Sequence, residues 1–311
     1  MSEIPLIIIT ADRPKRMIGK GENQTIHQDK IYGKYVRNYI NIDALEDTKE
    51  SITDKITKII NSSLGKTNGE ILLEKGPIHI NIHLEEPLLD TKSNLSLENL
   101  VIAPIKFKEH NKKILKIDNK IKRPIIICGQ SDLTYKASTI IDISNKIGAP
   151  ILADISSNIH SSNRIISFYE HFIDKLEAPD LILRFGSKPL SKKLLSLMKK
   201  YSDITYLVRL RSTFNDDILK SHLIDSINYE GQVNKNNSEW LNTFIKKDDL
   251  INRKINTIIK DFDLNEYIFA HQISKSIPKG SNIFIGNSLI IRAFNAFSRK
   301  KFNKVQFFSN R

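Results

Sequence analysis

The chain has 311 residues, 40% hydrophobic and 27% charged, with a formal net charge of +13 and one cysteine, Cys128. This is enough for about two domains with real cores. It excludes an internal disulfide framework, and no apolar run approaches the roughly 20 residues that span a bilayer. The opening MSEIPLIIIT has neither the basic flank nor the apolar length of a signal peptide, so a cytoplasmic location is expected. The basic balance raises the question of nucleic acid. The chain is, however, rich in Ile, Lys and Asn throughout, as AT-rich coding DNA produces. The densest basic stretch, Lys106 to Arg123, holds one Phe and no Tyr or Trp, and reads as a solvated linker rather than a stacking platform for bases.

In chain order, Pro5 to Thr10 reads as a buried strand and Gln24 to Arg37 as a helix starting near Asn23. Lys49 to Leu64 has helical apolar spacing at Ile52, Ile56, Ile59 and Ile60. Gly76 to Leu84 alternates as a strand. After a polar linker, Pro124 opens the strand PIIICGQ, and a helix follows from about Leu133 to Ile147, ended by Gly148. Cys128 sits in that apolar strand and reads as a buried thiol. Strand PILADI, a helical stretch near Ile165 to Lys175, strand DLILRFG, a helix beginning near Pro189 and strand ITYLVRL come next. Helical segments at Trp240 to Phe244, Ile251 to Ile259 and Tyr267 to Ser276 precede NIFIGN, SLIIRAFNAF and VQFFSNR, which read as strand, helix, strand. Strands alternating with helices imply an α/β fold with doubly wound parallel sheets.

Four of these strands run into a turn that carries a cation: Arg13 after LIIIT, Lys192 and Lys193 after LILRFG, Arg292 after NIFIG, and Arg311 after VQFFS. Ligands of open α/β sheets bind beyond the carboxyl ends of strands, beside helix N-termini. The pattern points to a small molecule with several negative charges. In SLIIR, Ser288 can cap the helix while Arg292 lies four residues on, on the same face. Lys192 near the first turn of its helix opposes the helix dipole, which is easier to understand with an anion between them. The bland reading is that each is a solvated surface charge. His79 and His83 share a strand face and are read as packing or exposed residues, and His160 and His171 as surface residues. Dinucleotide-fingerprint, P-loop, CxxC, HExxH and GxSxG motifs are absent.

TADRP at Thr10 to Pro14, GENQ at Gly21 to Gln24, GPIHINIHLEEPL from Gly76, APILADISS from Ala149, PDLILRFGSKPLSK from Pro179, FIGNSLIIR from Phe284 and the closing SNR occur in this order. Together they resemble the thiamine-diphosphate-dependent 2-succinyl-5-enolpyruvyl-6-hydroxy-3-cyclohexene-1-carboxylate synthases of menaquinone and phylloquinone biosynthesis. The resemblance implies three domains of the thiamine-diphosphate-enzyme type. Residues 1–90 would be the C-terminal part of a pyrimidine-binding domain, 91–122 a linker, 123–255 a central Rossmann-like domain and 256–311 the start of a diphosphate-binding domain. It implies decarboxylation of 2-oxoglutarate on the cofactor and addition of the resulting carbanion to isochorismate. Both are dicarboxylates, which suits clustered cations and bidentate Arg.

Carried over by motif, Arg13, Gln24, Lys192, Lys193, Ser288, Arg292 and Arg311 would bind substrate, and Asn23 would lie beside the cofactor. Thiamine diphosphate and Mg2+ are the implied cofactors and a homo-oligomer the implied assembly, with no metal ligand in this chain. Two positions depart from the family pattern: Glu22, where a small residue is usual, and His83, where proline is usual. The resemblance also implies incomplete first and last domains, with the catalytic glutamate upstream of these residues, so this chain is expected not to catalyse alone. The alternatives are a non-catalytic dicarboxylate-binding or regulatory module, a decayed gene product, or a basic nucleic-acid binder.

Overall fold

A computed structural model describes residues 4–67, 70–71, 75–86, 113–130, 135–160, 162–208, 222–230, 235–261 and 263–310. The described residues up to 86 form one compact unit and those from 113 onward a second.

In the first unit, β1 (Ile7–Asp12), β2 (Tyr39–Asp43) and β5 (Ile78–His83) form a parallel sheet with β5 in the middle. Between β2 and β5 lie α1 (Lys49–Ser63) and a short antiparallel pair, β3 (Lys66–Thr67) and β4 (Glu70–Ile71). The two-residue period of β5 puts Ile78, Ile80 and Ile82 on one face and His79, Asn81 and His83 on the other. The isoleucine face packs with Ile42 against Ile52, Ile56 and Ile59 of α1. Thr48 caps that helix, its side chain accepting from the Ser51 N–H.

Two expectations fail here. β1 is not buried: its exposure alternates, and Ile7 and Ile9 are 48% and 63% exposed, because β1 pairs only through β5 among the described residues. Residues 24–37 form turns and one 3-10 turn, Gly33–Tyr35, instead of a helix. Gln24 and Lys30 have positive φ, and the side chains that would line a helix are tied to strands instead. Gln28 Nε2 donates to the Ala11 carbonyl, and Asp29 accepts from Tyr39 and Asn41.

The second unit holds β6 (Ile114–Ile117), β7 (Pro124–Cys128), α2 (Ala137–Ile147), β8 (Ile151–Ala153), β9 (Leu181–Phe185), α3 (Lys192–Lys200), β10 (Thr205–Val208), β11 (His222–Ile224) and β12 (Ser226–Tyr229). Five strands pair in the order β11-β10-β9-β7-β8, all parallel. Every residue of β7 and β9 is buried, as a sheet covered on both faces requires. Ile126, Cys128, Leu183 and Phe185 pack against Ile140 and Ile147 of α2. Ile125, Ile127 and Ile182 pack against Leu194 and Met198 of α3 and against Trp240 and Phe244. These alternating faces are the doubly wound arrangement. Gly148 ends α2 at φ 67°, as expected.

Four local corrections follow. Ile114–Ile117, inside the expected linker, forms β6, which pairs in parallel with β12 and sends Ile117 into the core. Residues 165–175 form two 3-10 turns, Tyr169–His171 and Ile173–Lys175, rather than a helix. α4 (Lys235–Ile258) is one helix where two segments were expected; the polar break between them includes Asp248, which turns inward and accepts from the Phe168 N–H at 2.7 Å. His160 and His171 are not surface groups: His160 stacks edge-on against Phe302 and Phe307, and His171 Nε2 donates to the Ala296 carbonyl.

The chain ends with α5 (Glu266–Ser276), β13 (Asn282–Ile285), α6 (Leu289–Phe297) and β14 (Gln306–Ser309), the last two strands being parallel neighbours. Ile285, Ile291, Phe294, Phe302 and Phe307 share one core with Ile155 and Leu190, which lie in the loops after β8 and β9.

Candidate functional site: cations at strand ends

Arg13 follows β1 directly, and the polar face of the sheet fixes it. Asp12 accepts from the Arg13 N–H at 2.9 Å through one oxygen and from Asn81 Nδ2 at 2.8 Å through the other. His83 Nδ1 lies 2.8 Å from the Arg13 carbonyl, which can only accept, so Nδ1 carries the proton. Deeper in the sheet, the Thr10 hydroxyl donates to Asn81 Oδ1, so His79 Nε2 must donate to Thr10. His79 Nδ1 is then a bare, buried acceptor, and burial holds the His79 pKa down. The two histidines are thus packing residues, as read from the strand, each donating one hydrogen bond from its ring.

Arg13 Nη2 donates to Gln24 Oε1 at 3.0 Å, so the structure brings these two site residues together. They line a cavity of about 430 Å³ with Pro14, Arg16, Gln28, Glu85 and Glu86. The cavity is less cationic than the sequence pattern implied. Arg16 grips Glu85 through two bonds, 2.5 and 3.2 Å. Arg13 meets Glu86 only at 3.7 Å, with both side chains solvent-accessible. Such an exposed pair is worth about 0–1 kcal/mol, so a ligand carboxylate can displace Glu86 from Arg13. Gln24 Nε2 remains as a second donor. Asn23 is exposed on the turn beside Gln24 and is not among the lining residues. Glu85, Glu86, Arg16 and Gln28 were missed. The available signal was the parallel β1–β5 pairing, which brings residues after both strands to one sheet edge.

Lys192 and Lys193 open α3, but the helix starts at Lys192 rather than near Pro189. Ser191 is its cap and accepts from the Leu194 N–H at 3.0 Å, which leaves Pro189 in the preceding turn. Close backbone approach fixes the start of that turn: Gly186 has φ 71°, and a Cβ there would collide with the Gln130 carbonyl. Lys193 pairs with Asp174 at 3.1 Å, whereas Lys192 is exposed and makes no ion pair among the described residues.

Ser288 lies between β13 and α6 at φ 71°, ψ −128°. It occupies the cap position, but its side chain makes no cap bond, contrary to the sequence expectation. A non-glycine residue held there costs on the order of 1–3 kcal/mol, and such strain concentrates at functional turns. Gln24 also has positive φ. Arg292, one turn into α6, is exposed and has no ion pair among the described residues. Arg311 lies outside the described residues. Cys128 is 1% exposed within β7, and burial raises its thiol pKa well above the usual value, so it is a core residue.

Residues 106–285 match the family described as "Middle domain of thiamine pyrophosphate". The chain belongs to this family. The match covers more than half of the sequence and contains the whole five-stranded parallel sheet, together with Lys192 and Lys193. Beyond the middle domain, the chain is similar over its full length to 2-succinyl-5-enolpyruvyl-6-hydroxy-3-cyclohexene-1-carboxylate synthases. Those of Bacillus pumilus and Listeria monocytogenes serotype 4b are each 26% identical over 100% of this chain. That of Flavobacterium johnsoniae is 29% identical over 94% of it. The chain spans 57%, 58% and 54% of those relatives' own lengths. Among the described residues, no helix is long and apolar enough to cross a membrane.

Proposed function

We propose that this chain supplies the dicarboxylate-binding part of a thiamine-diphosphate-dependent synthase that decarboxylates 2-oxoglutarate and adds the resulting carbanion to isochorismate. The whole protein would act as a homo-oligomer in the cytoplasm. Residues 1–90 would serve as part of a pyrimidine-binding domain, 123–255 as the central domain and 256–311 as the opening of a diphosphate-binding domain. Arg13, Gln24, Lys192, Lys193, Ser288, Arg292 and Arg311 bind the carboxylates, with Asn23 beside the cofactor. The observation that carries this reading is the Arg13–Gln24 pair: the two are brought together at a cavity where only a loose glutamate competes for the guanidinium.

Thiamine diphosphate would supply the electron sink for decarboxylation. Among the described residues no group of three or more His, Cys, Asp or Glu could hold a metal ion, and no step is assigned to magnesium. The protein's own contribution is to bind and orient two carboxylates. Isothermal titration of 2-oxoglutarate tests it. Arg13→Ala and Arg292→Ala should each weaken binding by about tenfold or more; unchanged affinity in both refutes the assignment. A turnover assay with thiamine diphosphate, magnesium and both substrates tests the activity, and with it the expectation that these 311 residues do not turn over alone.

A further inference from the structure

A closed ring of buried hydrogen bonds joins the two substrate-facing elements of the second unit. Asp154 follows β8 and is fully buried. One carboxylate oxygen accepts from the Leu190 N–H at 2.6 Å, and the other accepts from the Tyr169 hydroxyl at 3.1 Å. The Tyr169 oxygen in turn accepts from Asn295 Nδ2 at 3.0 Å. Asn295 Oδ1 accepts from the Ile155 N–H at 3.0 Å, which returns the ring to the residue after Asp154. The orientation of the Asn295 amide is therefore forced, since a backbone N–H can only donate. Tyr169 and Asn295 are as buried as Asp154, at 0% and 1% exposed.

The ring touches two places that matter. Leu190 directly precedes Ser191, the cap of α3, and so sits two residues before Lys192. Asn295 is on α6, one turn beyond Arg292. Lys300 supplies a countercharge. It is fully buried, its ammonium lies 4.6 Å from the centre of the Tyr169 ring, and it donates to the Ser167 carbonyl. Burying a carboxylate and an ammonium is expensive unless both are paired and bonded. Core packing alone needs none of these groups, since Ile155, Leu190, Ile291 and Phe294 already meet in an apolar cluster.

We propose that Asp154, Tyr169 and Asn295 are positioning residues that hold the Lys192 loop and the Arg292 helix in one fixed relation. The two cations are then presented to carboxylates without an ordering cost on binding. This rests on the reading of Lys192 and Arg292 as carboxylate ligands.

Tyr169→Phe tests it. The substitution keeps the ring over Lys300 and deletes only the bridging hydroxyl. Hydrogen exchange followed by mass spectrometry should show amides 190–194 and 288–295 exchanging faster together, by about tenfold. β10 should keep its protection, which separates this effect from general loosening. Asp154→Asn, the same shape without the charge, should loosen the same two segments. Wild-type protection in both segments, or loosening of only one, overturns the proposal. Titration with 2-oxoglutarate adds a second arm. Tyr169→Phe should weaken binding on the order of fivefold, and should add nothing in a Lys192→Ala, Arg292→Ala background, because it acts through those cations. Full additivity overturns the positioning role. If wild type itself does not bind 2-oxoglutarate, the dicarboxylate reading fails. Exchange then decides the coupling by itself: joint loosening supports it and independent behaviour refutes it.

Discussion

At Ser288, strain and chemistry can be separated with two substitutions. Ser288→Gly removes the hydroxyl and relieves the backbone at φ 71°. Ser288→Ala removes the hydroxyl and keeps the strain. Urea unfolding should place the glycine variant about 1 kcal/mol or more above the alanine variant. Both should bind 2-oxoglutarate more weakly than wild type if the hydroxyl contacts it. His160 gives a second test at this scale. Both of its ring nitrogens are buried without a partner among the described residues, and burial pushes its pKa down to about 4. A depressed pKa means that stability is complete above the unfolded value near 6.5 and is lost as pH falls through 4. His160→Phe, which keeps an aromatic edge against Phe302 and Phe307, should remove that acid loss, as read by unfolding midpoints between pH 7 and 4.

Among the elements, the short N-terminal turn of α3 matters most, because it carries Lys192 and Lys193 against the helix dipole. Ser191 offsets this by capping Leu194 from a buried position. Ser191→Ala should cost about 1 kcal/mol, measured by thermal unfolding. Elements whose register is set by apolar periodicity were legible in the sequence. The isoleucines of α1, the continuous apolar runs of β7 and β9, and Gly148 after α2 all read correctly. Elements decided by polar side chains reaching across the fold did not. Gln28 and Asp29 draw residues 24–37 into turns, Asp248 hides the continuity of α4, and β6 is a strand only because β12 lies beside it. The site shows the same division. The strand-end cations were visible as a pattern, whereas the turn that places Gln24 was read as the start of a helix. Glu85 and Glu86, which compete for Arg16 and Arg13, became evident only when β1 and β5 were seen as neighbours.

At the scale of the whole molecule, opposed buried charges shape the response to pH. Burial raises the Asp154 pKa to about 6, so its contribution to stability declines as pH rises from near 4 through 6. Asp248 is pushed up by burial in the same sense. His160 acts in the opposite direction across the same window, and each of the two numbered shifts corresponds to about 3 kcal/mol at most. Relative to wild type, stability should therefore rise more with pH between 4 and 6.5 in Asp154→Asn and rise less in His160→Phe. Lys300, lowered by burial to about 8, adds stability as pH rises from 8 toward 10.5. Trp240, the only tryptophan, is buried beneath β7 with its indole N–H on the Pro124 carbonyl, so its fluorescence reports the unfolding of this unit alone.

The pairing of β6 with β12 has a consequence in time. Lys113 and Asp225, which close its end, are 112 residues apart. At synthesis rates of about 5–20 residues per second, β6 leaves the ribosome roughly 6–20 s before its partner exists. The lysines that flank Ile114–Ile117 keep a solitary strand edge soluble through that interval, since charged edges resist pairing with other chains. Basic residues that first read as part of a solvated linker then also serve as protection for a strand that must wait.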